Sequence, residues 1–465
     1  MMTDINTETL SAIDPATEEA FTTLPLTSIN DVGAIVDKAR LALENNPEWK
    51  SPAVRSATLF EMARLLMENV DELALAECRD TGKPLSQGRD DVKMSAAYFT
   101  YYAGWVDKFS GRSIPLGPEY IDYIVREPWG VCAQIIPWNY PLQVTSRCAA
   151  PALACGNAVV LKPSEQASVT PFRIQELAIQ AKIPEGLFNV IIGAGDIGST
   201  LIQHPGIDHV TFVGSAAVGQ VVARQCLERF IPVELEMGGK SPNIVMSDAD
   251  VDRAVPVIVR SLVQNAGQSC SAGSRVLIAR EIYDEVIKKL CLAFQSLSVG
   301  PGVDDHDLGP LISSRQLQHA EGMLERARNA GARILCGGSR PANLRKGWYL
   351  EPTLLDMVNP NSEIFQEEVF GPVLVATPFD GDDDAVRLAN STKYALVAGL
   401  WTQDLRRAHS LAARLVAGQV FVNGYGVGGG VALPFGGLKK SGHARGKAEE
   451  AMLAYSWVKN ICVAL

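Results

Sequence analysis

Between residues 131 and 236 short runs of Val, Ile, Phe and Ala alternate with stretches of helical period, and no other feature constrains the fold as strongly. The reading is strand 131–136, helix 140–154, strand 158–162, helix 171–181, strand 188–192, helix 197–204, strand 209–213, helix 216–228 and strand 232–236. Strands this short and apolar, each followed by a helix, predict a parallel, doubly wound sheet covered on both faces. A second alternation runs from 275 to about 424, with strands near Arg275, Ile334, Val373, Ala398 and Gln419. At 465 residues the chain exceeds one ordinary core. The expected class is α/β, with two doubly wound parallel-sheet domains.

In such sheets ligands sit beyond the carboxyl ends of the strands. Trp138, Lys162, Gly214 and Glu236 all fall at those ends, so motifs distant in sequence are expected to converge. The stretch 267–275 adds a thiol, Cys270. Upstream of it, Val251, Ala254, Val255, Ile258, Val259, Leu262 and Val263 recur at helical spacing, which predicts a helix opened by Ser247 or Asp248 and ending near Asn265. Downstream, 275–279 reads as a strand, so Cys270 sits on a loop between two rigid elements, as a positioned nucleophile would. Taken singly, the cysteine also reads as a small buried hydrophobe, its commoner use. Glu236 before a glycine pair and Asn139 after a strand change that balance. Together the three supply a thiol nucleophile, a base for water and a donor for an oxyanion, the set needed for acyl chemistry through a covalent thioester.

The flanking segments differ in style. Residues 29–44, 52–69, 70–81 and 88–105 carry helical patterns, whereas 110–128 alternates apolar and polar residues between glycine and proline and predicts a hairpin apart from the main sheets. The glycine-rich segment 424–442 predicts a mobile loop, and 447–465 a helix followed by an apolar strand. A net charge of −10 without a Lys/Arg cluster argues against nucleic acid as a partner. Residues 1–20 lack the basic and apolar regions of a signal peptide, and no run is apolar enough for a membrane span. Nine scattered cysteines without paired spacing predict free thiols in a reducing cytoplasm, with neither a disulfide framework nor a metal site.

Six motifs stand in order: Pro137-Trp138-Asn139-Tyr140-Pro141, Lys162-Pro163-Ser164-Glu165, Phe212-Val213-Gly214-Ser215, Glu236-Met237-Gly238-Gly239-Lys240, Gly267-Gln268-Ser269-Cys270 and Glu367-Glu368-Val369-Phe370-Gly371-Pro372. On these the chain resembles the NAD(P)-dependent aldehyde dehydrogenase superfamily, in its hydrolytic, acid-forming branch, over nearly its whole length. Met237 stands where that family usually has leucine, a volume-conserving change. The resemblance implies a Rossmann-like NAD-binding domain from 1–109 and 129–238 and a catalytic domain from 239–446. It also implies an oligomerisation element from 110–128 and 447–465, whose last strand joins a sheet of the neighbouring subunit in a homodimer or homotetramer. By the same resemblance Cys270 attacks the aldehyde, Asn139 and the Cys270 amide hold the oxyanion, and Glu236 activates the water that hydrolyses the thioester. CoA-acylating relatives lack that glutamate.

For the cofactor, the resemblance implies NAD contacts from Ile136, Trp138, Lys162, Glu165, Gly195, Gly214, Ser215, Gly219, Glu368 and Phe370. Lys162 and Glu165 match ligands of the adenosine ribose hydroxyls, where a carboxylate repels a 2′-phosphate and favours NAD over NADP. On residues alone they are also a strand-end lysine and a solvated glutamate. Gly214-Ser215 opens a helix whose amides could meet a pyrophosphate, yet it lacks the GxGxxG fingerprint and one glycine there is also an ordinary turn. Glu368 matches a ligand of the nicotinamide ribose and is otherwise a surface carboxylate.

The substrate tunnel implied by the resemblance is lined by Tyr140, Gln143, Val144, Arg147, Gln264, Ser269, Ser271, Gly429 and Phe435. Arg147, Gln264 and Gly429 occupy positions where betaine-aldehyde enzymes build an aromatic box for a quaternary ammonium, which argues against a cationic substrate. Arg147 admits two readings: a ligand for the carboxylate of succinate semialdehyde, or an arginine without that role, as in benzaldehyde- and vanillin-type enzymes. Gln264 stands where one type of succinate-semialdehyde enzyme adds a second arginine. The expected substrate is therefore a bulky aryl or heteroaryl aldehyde or semialdehyde, such as a pyridyl keto-aldehyde. A cysteine hydrolase without a redox step would need a histidine partner, and none of the six histidines falls in a family-like site. A non-catalytic protein on this fold is opposed by the intact Asn139, Glu236 and Cys270.

Overall fold

The computed structural model describes residues 8–426, 430–443 and 445–465. It opens with an antiparallel hairpin that the sequence reading left unassigned, β1 (Thr9–Asp14) and β2 (Glu19–Pro25). Four helices follow, α1 (Asp31–Asn45), α2 (Pro52–Glu68), α3 (Val70–Thr81) and α4 (Leu85–Trp105), each within a turn of its expected bounds. The hairpin expected at 110–128 is β3 (Arg112–Ser113) and β4 (Tyr120–Pro128).

The first sheet contains β5 (Val131–Ile135), β6 (Ala158–Lys162), β7 (Phe188–Val190), β8 (His209–Gly214) and β9 (Val233–Met237), all parallel in the order β7-β6-β5-β8-β9. Its crossovers are α5 (Pro141–Ala154), α6 (Val169–Gln180), α7 (Gly195–Gln203) and α8 (Ala216–Glu228). Val131, Cys132, Ala133, Val159, Val160, Leu161 and Val210 are fully buried, as strands covered on both faces require. The strand order reverses at β5, which places the crevice of a doubly wound sheet beside Asn139.

The second domain begins with β10 (Pro242–Val245), which the sequence reading missed, and α9 (Val251–Val263). Every apolar residue named above for α9 is buried. Its N-cap is neither Ser247 nor Asp248 but Asp250, whose carboxylate accepts from the Arg253 amide at 3.1 Å. Asp248 instead accepts from Thr402 Oγ1 and from the Gln403 and Asp404 amides. Then come β11 (Arg275–Ala279), α10 (Tyr283–Gln295), α11 (Ser314–Asn329), β12 (Arg333–Cys336), β13 (Thr353–Asp356), α12 (Glu363–Gln366), β14 (Val373–Phe379), α13 (Gly381–Ala389), β15 (Tyr394–Ala395), β16 (Val397–Trp401), α14 (Leu405–Arg414) and β17 (Gln419–Val422). The seven-stranded order is β12-β13-β14-β11-β10-β16-β17, parallel except for the β12–β13 pair.

One expectation is corrected here. The segment 424–442 is not loop throughout: β18 (Leu438–Lys439) pairs with β15, and Ser441 is tied in by Oγ donating to Gly238 O at 2.7 Å and by its carbonyl accepting from Met237 N at 3.1 Å. The last strand, β19 (Ser456–Ala464), joins this chain's own β4 in antiparallel register from Ser456↔Pro128 to Ala464↔Tyr120 and leaves its other edge open. The helix before it, α15 (Ala448–Ala454), buries Ala451 and Met452 in the core of the first domain. No helix among the described residues is long and apolar enough to cross a membrane, and no group of His, Cys, Asp or Glu among them could hold a metal ion. All nine cysteines are free thiols.

Candidate active site

A cavity of about 1560 Å³ opens beyond the carboxyl ends of β5, β8 and β9 and reaches the turn before β11. Cys270, Glu236 and Asn139 line it, together with Tyr140, Gln143, Val144, Arg147, Gln264, Ser269, Ser271 and Phe435 from the expected tunnel. Trp138, Glu165, Gly214, Ser215, Glu368 and Phe370 of the expected cofactor set line it as well. Ile136, Lys162, Gly195 and Gly219 of that set do not line it: Ile136, Lys162 and Gly219 are buried, whereas Gly195 is exposed. The Ile136 amide donates to Lys162 O at 3.1 Å, and the buried Lys162 amine reaches Glu165 at 3.5 Å. Gly195 is the first residue of α7, and a Cβ on Gly219 would lie 2.4 Å from Met237 Sδ, so Gly219 acts on the wall through packing. Gly429 lies outside the described residues.

The thiol turn is built against backbone preference. After α9 the chain makes a 3₁₀ turn in which Asn265 (φ 46°) and Ala266 (φ 52°) are both left-handed, a conformation that costs free energy and persists only where the surroundings hold it. The surroundings are specific: Asn265 Nδ2 donates to Asn139 O at 2.7 Å, Asn139 Nδ2 donates to Gln268 O at 2.9 Å, and Gln268 Oε1 accepts from the Ile312 amide at 2.9 Å. The amide donor and the thiol loop thus fix one another, and Asn139 Nδ2 has a second hydrogen to offer. Cys270 packs against Leu396, Val397 and Phe435. Burial pushes its thiol up to about 11, with Arg147 pulling the other way, so the resting thiol is protonated near neutrality and needs a base to become the nucleophile.

Glu236 is buried at the end of β9, with Oε2 2.6 Å from the Nη2 of the equally buried Arg147. Burial raises its carboxyl above the ordinary range, while Arg147, Lys447 and Arg445 oppose that rise. A carboxyl raised by burial and held beside a cation is suited to accept a proton from water. Glu234, two residues earlier on the same strand face, is pushed well up by burial. Glu368 accepts from the Gly239 amide at 3.2 Å and lies over Gly238, where a Cβ would come within 2.2 Å of its carboxylate. Burial pushes Glu368 to about 7. Phe370 meets Trp138 edge-on at 5.2 Å, and Gln316 Nε2 holds the Val369 and Phe370 carbonyls at 3.0 and 2.9 Å. At the opposite end of the cavity Ser215 caps α8, its Oγ accepting from the Val218 amide at 3.4 Å, which presents a helix N-terminus fit for a pyrophosphate.

Sequence reasoning missed Gln268, Asn265, Gln316 and Lys447. Gln268 stands within the thiol motif and Asn265 two residues before it, so both could have been read as its braces. Lys447 carried no signal: it follows a glycine at the head of a tail helix, yet its amine sits 5.4 Å over the Phe435 ring inside the cavity.

The sequence profile described as the aldehyde dehydrogenase family matches residues 2–461. Human 4-trimethylaminobutyraldehyde dehydrogenase is 37% identical over 460 residues, covering 98% of this chain and 93% of that protein. Among solved structures, the NAD+ complex of aldehyde dehydrogenase from Bacillus cereus superposes with a TM-score of 0.96 at 37% identity, over 98% of this chain and 94% of that one. A crystal structure from Burkholderia cenocepacia gives the same TM-score at 46% identity, over 98% and 96% of the two chains.

Proposed function

The chain belongs to the aldehyde dehydrogenase family, and on that premise we propose that it oxidises a bulky aryl or heteroaryl aldehyde to its carboxylic acid with NAD, through two half-reactions on Cys270. The observation that carries the reading is the shared cavity of Cys270, Asn139 and Glu236, with Asn139 bonded to the carbonyl two residues before the thiol. Cys270, its proton released to solvent, attacks the carbonyl carbon to form a thiohemiacetal, whose oxyanion is held by Asn139 Nδ2 and the Cys270 amide. NAD, when bound, supplies the acceptor for the hydride that leaves this carbon. Glu236 then takes a proton from the water that attacks the resulting thioester, which releases the acid and restores the thiol.

The residues present fit the cofactor. Ser215 and the start of α8 would meet the pyrophosphate, Glu165 and Lys162 the adenosine ribose and Glu368 the nicotinamide ribose. Trp138, Gly214 and Phe370 would border it, the buried Ile136 and Gly219 would support that wall from behind, and Gly195, exposed at the start of α7, would be a further contact. Glu165 in this role favours NAD over NADP. Tyr140, Gln143, Val144, Gln264, Ser269, Ser271 and Phe435 would line the path to the thiol. Exposed Ile121, Tyr123, Val458 and Val463 on the β4–β19 sheet support a homodimer or homotetramer formed through that element, and unpaired cysteines support a cytoplasmic setting.

The succinate-semialdehyde reading needs Arg147 for the substrate carboxylate, and the 2.6 Å contact with Glu236 counts against it. NADH formation with benzaldehydes, pyridyl keto-aldehydes, succinate semialdehyde and small aliphatic aldehydes, ranked by kcat/KM, tests the reading. Aryl aldehydes are expected first, and a panel led by succinate semialdehyde overturns the substrate class.

A further inference from the structure

We propose that Arg147 is a positioning residue for Glu236, tethering the base in a niche closed by Gly446, and is not a ligand for a substrate carboxylate. The inference rests on the reading of Glu236 as the general base. Three observations meet at this carboxylate. Arg147 Nη2 lies 2.6 Å from Oε2, with both side chains more than nine-tenths buried. On the other oxygen the niche is closed by backbone: a Cβ on Gly446 would fall 1.8 Å from Oε1 and 2.9 Å from the carboxyl carbon. Gly446 is itself held by its amide donating to Phe435 O at 2.7 Å, and the Phe435 ring lies 5.4 Å beneath the Arg147 guanidinium. The carboxylate therefore has a defined place only while residue 446 lacks a side chain and residue 147 carries a cation.

A carboxylate on a short substrate would have to displace Glu236 from Arg147. That exchange takes from the buried base its 2.6 Å ion pair with Arg147 and leaves it to Lys447 and Arg445 alone, which is costly compared with the intramolecular pair. An uncharged aryl group makes no such demand and can lie against Phe435. The same tether orients the base for deacylation, since α5 carries Arg147 on the helix that begins beside Asn139.

The test is the pH dependence of turnover in Arg147→Met and Arg147→Lys, with an uncharged benzaldehyde and with succinate semialdehyde. The groups facing Glu236 are Arg147 and Cys148 on α5, Tyr98 on α4, Glu234 on its own strand, Cys270, and Arg445 with Lys447 before α15. Arg147 opposes the upward push of burial, so its removal sends the carboxyl higher and moves the acidic limb of kcat to higher pH. The expected shift for Arg147→Met is about one pH unit or more. KM for benzaldehyde should stay within about threefold, a pre-steady-state burst of NADH should appear, and Arg147→Lys should restore part of the limb. An unshifted limb together with a rise in KM confined to succinate semialdehyde overturns the proposal, as does an unshifted limb in Arg147→Met that binds NAD like the native protein. Absence of NADH formation by the native protein with every aldehyde would instead remove the functional reading beneath it.

Discussion

Replacing Glu165 with serine should narrow the preference for NAD over NADP, by an amount that the structure bounds. The Glu165 side chain is 46% exposed and its carboxylate stands 3.5 Å from the buried Lys162 amine. Two unit charges about 5 Å apart interact by about 3 kcal/mol at an effective dielectric of ~20 and by about 0.8 kcal/mol in bulk water. A 2′-phosphate carries roughly 1.5–2 charges, but the half-exposed carboxylate is screened and partly neutralised by Lys162. A net penalty of about 1–3 kcal/mol remains, or roughly 5- to 150-fold in favour of NAD. In Glu165→Ser the carboxylate is gone and Lys162 remains to meet the phosphate, so the ratio of kcat/KM for NADP to that for NAD should rise about tenfold or more. The assay is initial NADH or NADPH formation with one aldehyde at two ionic strengths, and the native preference should weaken at high salt. Equal use of the two cofactors by the native enzyme, or a ratio unmoved by the substitution, would show that Glu165 does not face the 2′-position.

Four further outcomes are expected. Cys270→Ala should abolish NADH formation while NAD still binds, as measured by calorimetry; substantial residual turnover would remove Cys270 from the chemistry. Glu236→Gln should give a burst of about one NADH per site followed by a slow steady rate, and a uniform loss with unimpaired hydride transfer would contradict its assignment to deacylation. Because the Cys270 thiol is pushed up to about 11, its alkylation by iodoacetamide in the cofactor-free protein should keep accelerating from neutral pH to about pH 10; a plateau below pH 8 would show a preformed thiolate. Gly446→Ala should cut kcat about tenfold or more with little change in NAD affinity, since its methyl would overlap the Glu236 carboxylate, and unchanged kcat would mean that the niche yields.

What the sequence makes legible follows from how each element is buried. The strands of the first sheet read directly because both faces are covered and their residues are almost all apolar. The four-residue β10 escaped because it starts at Pro242, directly behind the Gly238-Gly239-Lys240 motif, where the glycines and proline read as punctuation. The β1–β2 hairpin escaped because burial alternates along β1 out of step with its apolar residues, Asp14 facing in and Ile13 out, and because β2 is mostly exposed. Glycine content misled at 424–442, where a serine decides the order: Ser441 locks onto Gly238, Ala395 and Met237. The edge that β19 joins was not readable either, since a strand of its composition suits any open edge and only α15 returns it to β4.

Arg147 shows why motif reading stops short of a site. Its two sequence readings differ only in where the guanidinium points, and it points at Glu236, whose carboxylate lies against Gly446, remote in sequence and without a side chain to give a pattern. The resulting placement has a consequence for both half-reactions. Arg147 pulls down the pKa of the Cys270 thiol as well as that of Glu236, while burial pushes both up. One guanidinium therefore favours the nucleophilic thiolate and the ionised base together. On the proposed mechanism, attack and deacylation are coupled through a residue that need touch no substrate. In Arg147→Met the alkylation rate of Cys270 at fixed pH should fall in the same protein whose acidic limb of kcat moves up. A variant in which only one of the two moves would show that the guanidinium acts on that group alone.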